Sequence, residues 1–73
     1  MIKLRVNGKH VELEAPMRLA AYLERLGVNA RSVAVEIDGR ILEKAEYAEA
    51  LLDQGSVVEI VRMVGGGLSS GGL

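Results

Sequence analysis

The chain contains no cysteine, so neither a disulfide nor a thiolate-held metal can reinforce it, and its stability must come from packing. Phenylalanine and tryptophan are also absent, and Tyr22 and Tyr47 are the only aromatic residues. The core must therefore be aliphatic, and a platform for stacking nucleic-acid bases is missing. Charge of one sign does not accumulate either. The formal net charge is −1 with acids and bases interspersed, which gives no electrostatic footprint for phosphate backbones or anionic membranes. No apolar run approaches the roughly 20 residues needed to cross a bilayer. Met1 to Val6 alternates apolar and charged residues where a secretory signal would need an unbroken apolar stretch. The expectation is a cytoplasmic protein, monomeric when alone, that binds neither nucleic acid nor membrane.

At 73 residues the chain holds one domain. A domain this short buries only about 60% of the surface its unfolded chain exposes, which leaves little room for a deep pocket. Isoleucine, leucine and valine are abundant, and each one fully buried contributes roughly 1.5 to 3 kcal/mol before chain entropy is subtracted.

Hydrophobic periodicity gives the elements. Ile2, Leu4 and Val6 alternate with Lys3 and Arg5, the period of a strand buried on one face. Asn7-Gly8 then supplies a type I′ turn, and Val11 and Leu13 form the returning strand. Pro16 suits a first helical turn. From Met17 the period changes, and Leu19, Tyr22, Leu23 and Leu26 form one apolar stripe that Gly27 terminates. Val33, Val35 and Ile37 restore strand alternation, Asp38-Gly39 turns the chain, and Ile41 and Leu42 make a short strand. Lys44 to Leu52 is alanine-rich, with Ala48, Leu51 and Leu52 at roughly helical spacing, which predicts a short helix or helical turns. Val57 to Val64 is the longest β-branched run and is apolar on both faces, as a central strand with a further contact on one side would be.

One helix covers only one sheet face, and the final strand hides its apolar length best beside the first strand. The order therefore predicts an α+β domain of β-grasp architecture over residues 1–64. Its sheet is mixed and four- to five-stranded, with one main helix on one face and a short helical segment. Residues 65–73 are glycine-rich, offer almost no side chain to bury, and form a flexible tail on this reading.

The segments Val6-Asn7-Gly8-Lys9, Val33-Ala34-Val35-Glu36 with Asp38-Gly39, Val58-Glu59-Ile60-Val61 and the terminal Gly65-Gly66-Gly67 resemble the ubiquitin-like sulfur carriers, and within them the thiamine-biosynthesis (ThiS) branch. The resemblance covers residues 1 to 67. It implies that the carboxylate of Gly67 is adenylated by a separate adenylating enzyme and converted to a thiocarboxylate that donates sulfur. Gly65 and Gly66 would be the flexible leash. The implied partners are that ubiquitin-activating type of enzyme, a thiazole synthase and a sulfur donor such as a cysteine desulfurase system. ATP would be used by the activating partner, and no cofactor is expected on this chain. The chain has no G-x-x-x-x-G-K-[S/T] or G-x-G-x-x-G loop for phosphates, so it is expected to be a protein substrate and not an enzyme.

Leu68 to Leu73 follow Gly67 and deny it a free carboxylate. A maturation protease could remove them, they could be an appended artificial sequence, or Gly72 could be the reactive end after loss of Leu73. Related carriers for molybdopterin, cysteine or tRNA sulfur share the same glycine chemistry. A ubiquitin-like interaction module with an inert tail is the alternative of another class, since a glycine run at a chain end is commonly just frayed.

Other candidate residues divide between function and structure. Val57, Val61 and Met63 lie opposite Val58 and Ile60 on the final strand and either dock a partner or pack under a loop. Lys3 and Arg5 share that face, within reach of Glu59 for weak pairing. His10, the sole histidine, sits at a turn without a second ligand, so no metal site is expected. Glu43, Glu46 and Glu49 keep the outer side of the second helical segment wet.

Overall fold

The computed structural model describes residues 1–63. The elements are β1 (Ile2–Val6), β2 (Lys9–Leu13), β3 (Met17–Arg18), α1 (Leu19–Leu26), β4 (Val33–Ile37), β5 (Arg40–Ile41), β6 (Leu51–Leu52) and β7 (Val57–Arg62), with single 3-10 turns at Ala30–Ser32 and Lys44–Glu46. Five strands form a mixed sheet in the order β2-β1-β7-β4-β5, and β3 pairs with β6 in a separate two-stranded ladder. The last strand is central, as its apolar length required. It runs parallel to β1 and antiparallel to β4.

Both hairpin turns follow from their residues. Asn7 and Gly8 take φ of 52° and 80°, and Asp38 and Gly39 take 52° and 85°. All four are left-handed, which asparagine, aspartate and glycine tolerate best. Alternation then sends Leu4, Val6, Leu13, Val33, Val35 and Val58 to one side of the sheet, where they meet Leu19, Tyr22 and Leu23 of α1 and Leu42, Tyr47 and Leu52 beyond it. This is the core. Among the described residues, no helix is long and apolar enough to cross a membrane.

The structure corrects several sequence readings. The helix does not start at Pro16. Met17–Arg18 pair with Leu51–Leu52 as β3, and α1 begins at Leu19, whose N–H donates to Ala50 O at 2.8 Å while Ala20 N–H donates to Tyr47 O at 2.9 Å. Those carbonyls satisfy helix N-terminal donors that a capping side chain would otherwise serve. Leu26, at the end of the predicted stripe, is 48% exposed, because Gly27 ends the helix there with a left-handed φ of 74°.

The stretch from Lys44 to Leu52, expected as a short helix or helical turns, holds one helical turn, of 3-10 type at Lys44–Glu46, and then passes through turns into β6 without forming a longer helix. Tertiary contacts override its alanine propensity. Tyr47 is buried and its hydroxyl donates to Val33 O at 3.1 Å, while Lys44 Nζ donates to Ala30 O at 2.9 Å and lies 5.2 Å from the Tyr47 ring centroid. Glu43 and Glu46 form a reciprocal capping box on the turn, with Glu43 N–H donating to Glu46 Oε2 at 3.1 Å, so they organise this segment instead of wetting a helix face. Finally, His10 lies within β2 opposite Arg5, and not at a turn.

Candidate functional site

The sheet face turned away from α1 is open, and β7 runs through its middle. Val58 and Ile60 point to the core side, which leaves Val57, Val61 and Met63 outward at 46%, 59% and 50% exposure. These three residues were expected on one face, and the structure places them there with no loop over them among the described residues. Ile41 joins them at 73% exposure, because its register partner Glu36 faces the same way. Sequence reasoning missed Ile41. The signal was available in its position two residues past the Asp38-Gly39 turn, which makes it the cross-strand neighbour of an outward residue.

β7 is held from both sides by side chains as well as by the ladder. The Asn7 amide mimics a strand rung: its Oδ1 accepts from Ile60 N–H at 2.7 Å and its Nδ2 donates to Ile60 O at 3.2 Å. Asp38 does the same on the other flank, accepting from Val57 N–H at 2.9 Å through Oδ1 while its own N–H donates to Val57 O at 2.8 Å. The two turn residues thus anchor the central strand as well as reversing the chain. At the far end, Met63 N–H donates to Ser32 O at 2.8 Å. The direction in which the chain leaves the sheet is therefore fixed up to Met63.

Gly65, Gly66 and Gly67, the expected reactive end, lie outside the described residues, as do the rest of the 65–73 tail and Val64. Lys3 and Arg5 are on the open face beside Val57, but neither pairs with Glu59. Among the described residues the one ion pair is Arg40–Glu46, at 2.9 Å. It sits away from this face. Together with the backbone N–H of Glu43, Arg40 holds the Glu46 carboxyl below its ordinary range, the Glu43 hydrogen bond being the larger cause. Burial pushes the Tyr22 hydroxyl up, with Arg25 opposing weakly. Both shifted groups belong to the framework. Among the described residues no group of three or more histidines and carboxylates is placed to hold a metal.

A mixed sheet clasping one helix, with its other face bare and its central strand leading out to a glycine run, defines a β-grasp domain of the ubiquitin-like type. Comparison with known proteins narrows the class. The ThiS family model matches residues 4–67, and the chain belongs to that family. The crystal structure of the thiamine biosynthesis protein ThiS from Geobacter metallireducens superposes with a TM-score of 0.79 at 30% identity, covering 90% of this chain and all of that one. Among sequences, the chain is 41% identical over 66 residues to a thiazole synthase of Paramagnetospirillum magneticum, of which it spans 20%. It is 29% identical over 66 residues to the uncharacterized protein ycf40 of Porphyra purpurea, spanning 93% of it.

Proposed function

We propose that the protein is a sulfur carrier for thiazole formation in thiamine biosynthesis, with Gly67 as its reactive end once residues 68–73 are removed. The observation that carries this reading is the extent of the family match, which runs through Gly65 and Gly66 and stops at Gly67. The chemistry suits the residues. In the activating partner, the Gly67 carboxylate attacks the α-phosphorus of ATP and pyrophosphate leaves; a persulfide from the sulfur donor then displaces AMP from the acyl-adenylate to give an acyl disulfide, and a thiol cleaves its S–S bond, leaving as a disulfide and releasing the thiocarboxylate. Glycines without a Cβ can enter a narrow active site and take whatever backbone angles it demands. Val57, Val61 and Met63 dock the partner while the chain end reaches inside. The carrier itself supplies no catalytic group and holds no cofactor.

The partners on this reading are an adenylating enzyme, a sulfur donor such as a cysteine desulfurase system, and a thiazole synthase, all cytoplasmic. The thiazole synthase is supported by the Paramagnetospirillum magneticum relative, in which a segment similar to this chain is part of a protein of that name. A second thiazole synthase, from Magnetococcus marinus, shows the same arrangement, with the chain spanning 20% of it at 30% identity.

The test is to incubate the chain ending at Gly67 with ATP, a sulfur source and the cognate adenylating enzyme, and to weigh the product. Replacement of one carboxylate oxygen by sulfur is expected. An unchanged mass refutes the carrier reading and leaves an interaction module with an inert tail.

A further inference from the structure

β5 pairs with β4 only at Glu36 and Ile37, so the rest of that edge of β4 is left without a strand among the described residues. A loop amide and two side chains take the place of one. Leu42 N–H donates to Val35 O at 3.0 Å, and Val33 O receives the Tyr47 hydroxyl at 3.1 Å together with Lys44 Nζ. The Glu43–Glu46 capping box holds the turn on which Lys44 sits.

Lys44 does more than close that edge. Its ammonium also donates to Ala30 O at 2.9 Å and, at 3.4 Å, to Arg31 O, both in the 3-10 turn Ala30–Ser32. An ammonium has three donors and no acceptor, so the carbonyls of Ala30, Arg31 and Val33 together match it. The N–H groups of the same turn are held by Asn29, whose Oδ1 accepts from Arg31 N–H at 2.9 Å and whose carbonyl accepts from Ser32 N–H at 2.9 Å.

That leaves the Ser32 carbonyl, which accepts from Met63 N–H at 2.8 Å. Val33 and Arg62 are register partners, so Ser32 lies opposite Met63, one position past the end of the β4–β7 ladder. Among the described residues, the last tether of the strand that leads to the glycines is therefore made by a turn and not by β4. Its rung is single, because Ser32 N–H is engaged by Asn29.

We infer that Lys44 is a positioning residue for the reactive end. It shapes the Ala30–Ser32 turn so that Ser32 O meets Met63 N–H, and so fixes the point from which the chain departs for the activating enzyme. Without the ammonium, the Ala30 and Arg31 carbonyls lose their shared donor, the Ser32–Met63 rung opens, and Met63 joins the segment that the enzyme must place before reaction. The Tyr47 hydroxyl, which serves Val33 O alone, has no such role. The consequence for catalysis rests on the carrier reading, whereas the tether rests on hydrogen bonds within this chain.

Three variants separate this role from a general contribution to stability. Lys44→Met keeps the aliphatic stem and removes the ammonium, Asn29→Ala releases an N–H of the same turn, and Tyr47→Phe removes the other donor to Val33 O. In the isotope-labelled chain, the through-hydrogen-bond coupling between Met63 N and the Ser32 carbonyl carbon is measured together with amide exchange. Wild type and Tyr47→Phe should show the coupling. Lys44→Met and Asn29→Ala should lose it and exchange the Met63 amide at least about threefold faster, with Ile60, whose N–H is held by Asn7, unchanged. Adenylation of the chain ending at Gly67 is then followed by pyrophosphate release with the cognate adenylating enzyme. Both turn variants should lose about threefold in kcat with KM within about twofold of wild type, because the proposed docking side chains are unaltered. Tyr47→Phe should lower the unfolding midpoint and leave kcat as it is.

An intact coupling in Lys44→Met, a Met63 exchange rate that rises only in step with that of Ile60, or an equal loss in Tyr47→Phe would reduce Lys44 to a stabilising contact and overturn the inference. A lost coupling with unchanged kcat would overturn it as well. If the wild-type chain is not adenylated at all, the carrier reading falls, and the coupling and exchange measurements alone decide whether Lys44 sets the tether.

Discussion

On the helix side of the sheet Val33, Val35 and Val58 are all but sealed from solvent, whereas on the other side Val57 and Val61, on the same strand as Val58, keep 46% and 59% of their surface. The residue type is identical and the environment is opposite. On one side, valine area is removed from water by folding and contributes to the stability of a very small domain. On the other it stays wet and adds little to folding, and on the proposed docking role it would leave water only when a partner binds. A strand that is apolar on both faces can thus serve two equilibria, one per face, provided that its own position is secured independently. Asn7 and Asp38 secure it from the flanks.

If the two faces are separable in this way, truncation on the sealed side should be costly. Leu23→Ala removes a side chain that is 1% exposed, and a loss of about 2–5 kcal/mol is expected from the missing transfer energy and the cavity left behind. Denaturant unfolding measures it, and a loss well under 1 kcal/mol would mean that the helix is not what covers this face. A smaller loss, about 1–2 kcal/mol, is expected from Asn7→Ala, which deletes both side-chain bonds to Ile60 and places alanine at a positive φ. The amide exchange of Ile60 should rise with it.

The acid limb of the stability curve sharpens the comparison on the covered side. Glu46 titrates below its ordinary range in the folded state because Glu43 N–H and Arg40 donate to its carboxylate. Its stabilising contribution is therefore complete above the unfolded-state carboxylate range and is lost as the pH falls through the lower folded-state value. Glu46→Gln should show a flatter decline in unfolding midpoint between neutral and acid pH than wild type. An identical decline would place the acid sensitivity elsewhere. The smallest effect on stability is expected on the open face, where Val61→Ala should change the unfolding free energy by no more than about 0.5 kcal/mol.

Much of this was legible in the chain itself. Strict alternation at Ile2–Val6 and Val33–Ile37, together with two Asx-Gly turns, gave the strands their faces, because a period of two leaves no choice of side. The apolar length of the last strand gave it the central position. Segment 44–52 was not legible, because its conformation is set by contacts distant in sequence: Tyr47 reaching Val33, Lys44 reaching Ala30, and Leu52 facing Met17 across β3–β6. Alanine spacing says nothing of those. The same holds for the anchoring by Asn7 and Asp38. Their turn conformations follow from residue type, but their second partners lie on a strand 53 and 19 residues away. On the open face, Val57, Val61 and Met63 could be found from alternation within one strand. Ile41 needed the register between strands.

The division of labour between the faces is tested most directly by one variant, Val57→Ala/Val61→Ala/Met63→Ala, in the chain ending at Gly67. The rate of thiocarboxylate formation at limiting adenylating enzyme is followed by mass spectrometry, with the unfolding midpoint recorded alongside. A midpoint close to wild type with a rate reduced at least about tenfold is the predicted result. A wild-type rate from the stable triple variant would contradict the account, since the glycine end would then be reaching its enzyme without help from this face.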